Sequence, residues 1–165
     1  MAFELYIDVL ERNLNSVATL LNTLLSNEMN LYVKTRKFHW NVVEENFQKL
    51  HALFEVQYKH LEQSIDKVAE RVNDLGGKMI GVMQEFAKRS SIREVPGKYS
   101  SAIELVKELI KSHERIIFQL LKDIEDCKDI YKDMDTADFL TGLLQEHEVI
   151  VWTLKKYITK NQKDN

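Results

Sequence analysis

From Leu10 onward apolar residues fall at Leu10, Leu14, Val17, Leu21, Leu24 and Leu31, the three-and-four spacing that draws one stripe along a single helical face. The pattern extends from about Phe3 to Trp40, which predicts a first helix on the order of 50 Å long, well beyond an ordinary globular helix. A second stripe, Leu50, Phe54, Leu61, Ile65, Val68, Val72 and Leu75, predicts a helix over about 46–75 that ends at Gly76-Gly77, where glycine can take the left-handed conformation. Residues 76–100 then carry a short apolar piece (MIGVMQEF), a basic-polar stretch and Pro96-Gly97, which reads as a connection with one small helix inside it. Ser101 with Glu104 forms a capping-box signature, and Ile103, Val106, Ile110, Ile117, Leu120 and Ile124 predict a helix over about 101–126. An acidic run from Asp123 to Asp138 makes the next turn. Leu140, Leu144, Val151, Leu154 and Ile158 predict a last helix over about 136–159, followed by a lysine-rich tail.

Two helix pairs with short internal turns, joined by one long crossover, describe an all-α, ferritin-like four-helix bundle. The chain has 165 residues, 44% of them hydrophobic, with one proline and five glycines, a size that predicts one domain over 1–165. The single Cys127 cannot close an intramolecular disulfide, and the amino terminus lacks the pattern of a secretory signal, so a cytoplasmic location is the default expectation. Charges recur too often for a membrane-spanning helix, which predicts a soluble protein with no membrane partner. A formal net charge of -3 supplies no general attraction to nucleic acid.

The second helix carries polar residues that a plain bundle does not need. His51 and Glu55 lie one turn apart, as do Asp66 and Glu70, and at 100° per residue Asp66 and Glu70 sit about 60° and about 100° round the helix from His51. All four share one broad side, yet roughly 22 Å of helix separates the pairs, too far for both to hold one metal. One chain alone therefore offers half-sites. A twofold axis near His60-Leu61, with the helix antiparallel to its copy, would set His51 and Glu55 of one chain opposite Asp66 and Glu70 of another, giving two equivalent sites per dimer. Tyr58 and Glu62 would then lie in the dimer contact, and His39 could fold back beside His51 as a further ligand. Imidazole and carboxylate without thiolate suit ferrous iron, zinc, cobalt or manganese rather than copper(I). The competing interpretation makes these residues exposed acids in ordinary i,i+4 pairs, and spacing alone leaves both open. A site within one bundle built on Glu-x-x-His is disfavoured, because no histidine has a glutamate three residues before it.

The segments KTRKFHW, FQKLHALFE and IDKVAERVNDLGG, with DMDTADFLTGLLQEHEVIVWTL near the end, resemble the DNA-protection-during-starvation (Dps) family, or miniferritins, over nearly the whole chain. The resemblance implies a ferroxidase site of His39, His51 and Glu55 from one subunit with Asp66 and Glu70 from its twofold mate. Glu55 stands where aspartate is common in the family. It further implies a twelve-subunit homo-oligomeric shell that oxidises ferrous iron, preferentially with hydrogen peroxide and otherwise with dioxygen, stores ferric mineral and limits oxidative damage. Zinc and other divalent metals are expected to occupy the same site. Trp40 resembles the family's tryptophan near the site and also suits an aromatic plug at the helix end. Asp129, Asp133 and Asp138 are similar in placement to residues lining the family's iron-entry pores, where carboxylate rings would concentrate cations; a solvated acidic loop is the alternative.

His113 and His147 interrupt apolar stripes and read as hydrogen-bonded core histidines rather than ligands. His60 lies about 180° from His51 and stays outside the cluster, while Met79 and Met83 read as packing for the crossover. Two other functions compete with iron oxidation: a DNA-binding nucleoid protein and a metal-binding shell without turnover. The DNA reading rests on Lys155, Lys156, Lys160 and Lys163 and is not favoured, because Arg12 is the only basic residue before Lys34.

Overall fold

The computed structural model describes residues 2–43, 47–94, 96–97 and 101–161, with backbone only for 2–9, 47 and 161. Its helices are α1 (Ala2–Asn41), α2 (Phe47–Asp74), α3 (Met83–Arg89), α4 (Ala102–Asp126) and α5 (Met134–Asn161), with a π-helical turn at Cys127–Tyr131 between the last two. α1, α2, α4 and α5 form a four-helix bundle, and the crossover carries the short α3. The stripes that identify the helices also bury them: Val17, Leu21, Leu24 and Leu31 of α1 pack with Leu50, Phe54, Leu61 and Val68 of α2 and with Val106, Leu109, Ile116, Leu120, Leu140 and Leu154 of the other pair. At roughly 1.5–3 kcal/mol for each fully buried large aliphatic or aromatic side chain, this core is the dominant favourable contribution.

α1 lies along α2 and α4 along α5, whereas α2 and α5 touch at few points. A groove of about 750 Å³ runs between them, lined by Leu53, Gln57, His60, Glu146, Val149 and Ile150 among others.

Gly76 and Gly77 end α2 for different reasons. Gly76 takes φ of +69°, the left-handed conformation, and its N–H bonds the carbonyl of Asn73 at 2.9 Å. Gly77 is needed for closeness, since a Cβ there would lie 2.7 Å from that of Ala18 and 3.1 Å from Val72. Ser101 is extended (φ -153°, ψ 158°) and its hydroxyl accepts from the Glu104 N–H at 3.3 Å, starting α4. After the π turn, Lys132 adopts φ of 57° and Asp133 caps α5.

Three asparagines of α1 hold the crossover in place. Asn22 donates to the Lys78 carbonyl (2.9 Å) and accepts from the Ile80 N–H (3.1 Å). The Asn27 carbonyl oxygen accepts from the Ser91 N–H (2.7 Å) and the Ser90 hydroxyl (2.9 Å), and Asn30 reaches the Ile92 carbonyl at 3.4 Å. Phe86 and Ile92 bury themselves against the bundle, so the crossover is a packed strap. Met79 and Met83 instead remain exposed at 42% and 61%, so the expected packing role does not hold within one chain; in α3 it is Phe86 that turns inward. Among the described residues no helix is long and apolar enough to cross a membrane.

Candidate metal centre

The end of α1 folds against the start of α2, and this brings together two histidines twelve residues apart. The rings of His39 and His51 stack with centroids 3.6 Å apart and planes 27° from parallel. Each Nδ1 lies 2.9 Å from the backbone carbonyl oxygen of the other residue, and since a carbonyl only accepts, each ring donates its Nδ1–H there. In a neutral imidazole that bond leaves the lone pair on Nε2, the arrangement metal-binding imidazoles commonly use.

Glu55 follows one turn after His51. Its carboxylate pairs with Lys59 at 2.5 Å, an exposed i,i+4 contact. The hydrogen bond from Lys59, then its charge, hold the Glu55 carboxyl below the ordinary carboxylate range, with smaller contributions from His39 and His51. A cation approaching that oxygen of Glu55 competes with an ammonium. Asp66 and Glu70 are exposed on the same helix, separated from His51 along its axis as the residue count requires. Among the described residues no three histidine, cysteine or acidic side chains of one chain are arranged to hold a metal ion.

Trp40 is 64% exposed with the Arg36 guanidinium 5.4 Å from its ring centroid, so within one chain it plugs nothing. Tyr58 departs from the expected dimer contact. It is 9% exposed, packed inside the α1–α2 pair with its ring 5.2 Å from that of His39 and with Arg36 4.6 Å away, while Glu62 remains exposed. His60 turns toward α5 and meets Glu146 at 3.1 Å, away from the other two histidines.

At the far end of the bundle, Asp129 and Asp138 are exposed. Asp133 has both oxygens engaged: it accepts from the Thr136 N–H at 2.9 Å and from the Thr136 hydroxyl at 2.6 Å, with Arg71 at 3.5 Å. Its first task is to start α5.

The core also holds a polar chain that sequence reading anticipated only in part. His113 and His147 face each other with Nδ1 atoms 2.8 Å apart, and His147 Nε2 lies 2.7 Å from Glu28 of α1. Both nitrogens of His147 are spent, so the three groups form a line of hydrogen bonds rather than a chelate. Burial is the main cause holding His113 well below the ordinary imidazole range, with the charges of His147 and His60 adding to it. Glu28 was legible as the polar member of the 21, 24, 28, 31 stripe, although nothing in the sequence pairs it with His147.

Residues 18–163 match the description Ferritin-like domain. A DNA protection during starvation protein of Brevibacillus brevis is 37% identical over 142 residues, spanning 86% of this chain and 94% of that one. A low-temperature-induced protein of Nostoc sp., described as uncharacterized, is 43% identical over 142 residues, spanning 86% of this chain and 79% of its own. Among solved structures, a Dps protein from Bacillus brevis superposes with a TM-score of 0.85 at 33% identity, over 89% of this chain and 97% of that one. A Dps protein from Vibrio cholerae O1, described as a member of a broad superfamily of ferritin-like diiron-carboxylate proteins, gives 0.85 at 26% identity over 90% and 92%. The all-α bundle with its strapped crossover and the extent of these matches lead to one conclusion: the chain belongs to the Dps family of ferritin-like proteins.

Proposed function

We propose that this protein oxidises ferrous iron, preferentially with hydrogen peroxide, at sites shared between two subunits, and stores the ferric product inside a homo-oligomeric shell, a dodecamer as the family resemblance implies. The observation that carries this reading is the pair His39 and His51, each with Nδ1 directed at a backbone carbonyl and the lone pair on Nε2, beside Glu55. Asp66 and Glu70 lie on the same broad side roughly 22 Å along α2, where a twofold-related copy would present them to these histidines. Iron is the substrate. Two ferrous ions give one electron each to peroxide, its O–O bond breaks, and both oxygens leave as oxide or hydroxide on ferric iron; two further waters enter and four protons are released. Delivering both electrons together avoids a hydroxyl radical, and peroxide consumed in this way protects DNA without requiring the protein to bind it.

The chain's own part is positional. The reciprocal carbonyl bonds orient both imidazoles before metal arrives, Glu55 supplies negative charge in competition with Lys59, and Tyr58 packs behind His39. Exposed Asp129 and Asp138 support a cation-entry route at the other end of the bundle, with Asp133 adding charge while it caps α5.

The test is anaerobic loading with ferrous iron followed by stoichiometric peroxide, with ferric absorbance and hydroxyl radical followed together. Fast oxidation at about one peroxide per two irons with little radical is the expected result. Oxidation no faster than in buffer, with radical released, leaves a metal-binding shell as the better account.

A further inference from the structure

Where α1, α4 and the end of the crossover meet, a small cavity of about 230 Å³ opens away from the residues assigned to iron. Lys34, Arg93, Lys111 and Arg115 line it against a single carboxylate, Glu108, with the hydroxyl of Ser112. The excess of positive charge is local, since the chain as a whole carries a formal charge of -3. Among the described residues, neither Arg93, Lys111 nor Arg115 makes an ion pair.

Lys34 makes this more than a scatter of surface cations. It is 4% exposed, and its ammonium donates to Glu108 at 2.9 Å and to Ser112 at 3.0 Å, which accounts for two of its three protons. The hydroxyl of Ser112 in turn donates to the Glu108 carbonyl at 3.0 Å, which orients its lone pair toward Lys34. The result is a buried ammonium braced on two sides, with two guanidinium groups and a second ammonium around it. Arginine forks match the spacing of tetrahedral oxyanions and ammonium adds an undirected charge. The cavity is smaller than the roughly 300–1,000 Å³ typical of pockets for drug-sized ligands, which favours a single small anion over a nucleotide. Glu94 lines a neighbouring cavity that shares Lys34.

We propose that this cavity is an oxyanion site that takes a phosphate group, with Lys34 and Ser112 as its floor and Arg93, Lys111 and Arg115 as its donors. It stands independently of the iron reading. The phosphate has two conceivable sources, the free inorganic ion or the backbone of a nucleic acid, and both present the same chemistry to these donors.

Iron-free protein, assembled as purified and held in chelator, is titrated with inorganic phosphate by calorimetry at low chloride, so that ferric iron cannot capture the anion. The companion variant is Lys111→Gln with Arg115→Gln, both exposed, with melting temperature and hydrodynamic size checked against the parent. The expected result is saturable phosphate binding that weakens at least ten-fold in the variant while size and melting temperature hold. Absence of saturable binding, or equal binding by parent and variant, overturns the site. A short DNA duplex added to the phosphate-loaded parent separates the sources: displacement assigns the site to backbone phosphates, and indifference assigns it to the free ion.

Discussion

Asp123 sits on α4 at 7% exposure with Oδ2 unpartnered. Burial raises its carboxyl from the ordinary 3.8 to about 6, with the charge of Asp126 adding to the rise and a hydrogen bond from Gln119 opposing it. The folded protein then holds the proton more tightly than the unfolded chain, so this group favours folding below about 4, and that contribution declines as pH rises to about 6. Asp123→Asn is expected to raise neutral-pH stability by on the order of 1 kcal/mol, less than the full shift implies because the helix surface beside it is solvated. Denaturation at pH 7 and pH 4 checks this, and the gain should vanish at the lower pH. Cys127 is fully buried, and burial with nearby Asp133, Asp123 and Asp126 pushes its thiol up to about 12. A thiol-reactive dye should label native protein far more slowly than unfolded protein. Lys59→Met should release Glu55 and tighten zinc binding, used as a redox-silent surrogate, by up to about five-fold. Unchanged affinity would mean that Lys59 does not compete for the carboxylate.

Element by element, the helices were legible because their apolar stripes are long and regular, and the crossover because Gly76, Gly77 and Pro96 interrupt them. The strap itself was not. Asn22, Asn27 and Asn30 are short polar residues that any helix can carry on a solvated face, and only the folded chain shows them reaching the backbone of residues 78–92. Asn27→Ala should cost about 2 kcal/mol, because the Ser91 N–H it satisfies would lose its acceptor. Hydrogen exchange should report the loss first in the crossover. Gly77→Ala should cost about 1–3 kcal/mol by overpacking against Ala18 and Val72, read as a fall in the denaturation midpoint. The sequence spacing brought His39 near His51, but the mutual Nδ1-to-carbonyl bonds depend on backbone positions that no residue pattern encodes. Tyr58 shows the same limit: residue spacing fixes the arc of α2 from which it leaves, and its contacts with His39 and Arg36 turn the ring inward.

For the whole molecule, the proposed division of ligands between chains makes a specific demand. His51→Ala and Asp66→Ala should each abolish fast ferrous oxidation without dissociating the oligomer. Subunits of the two variants, dissociated and reassembled together, should recover activity, because a mixed pair restores one of its two sites. No recovery, with mixed assembly verified by mass, would place each site inside one chain.

The open seam between α2 and α5 also bears on how the chain folds. With contacts concentrated inside α1–α2 and α4–α5, most pairing is between helices adjacent in sequence within each half, and local pairing of this kind speeds folding. The two helical hairpins are then natural cooperative units that dock along α1 and α4, while the α2–α5 margin is the last to order. In native-state exchange it should be the first place where amides trade their hydrogens by partial opening, well before either hairpin comes apart.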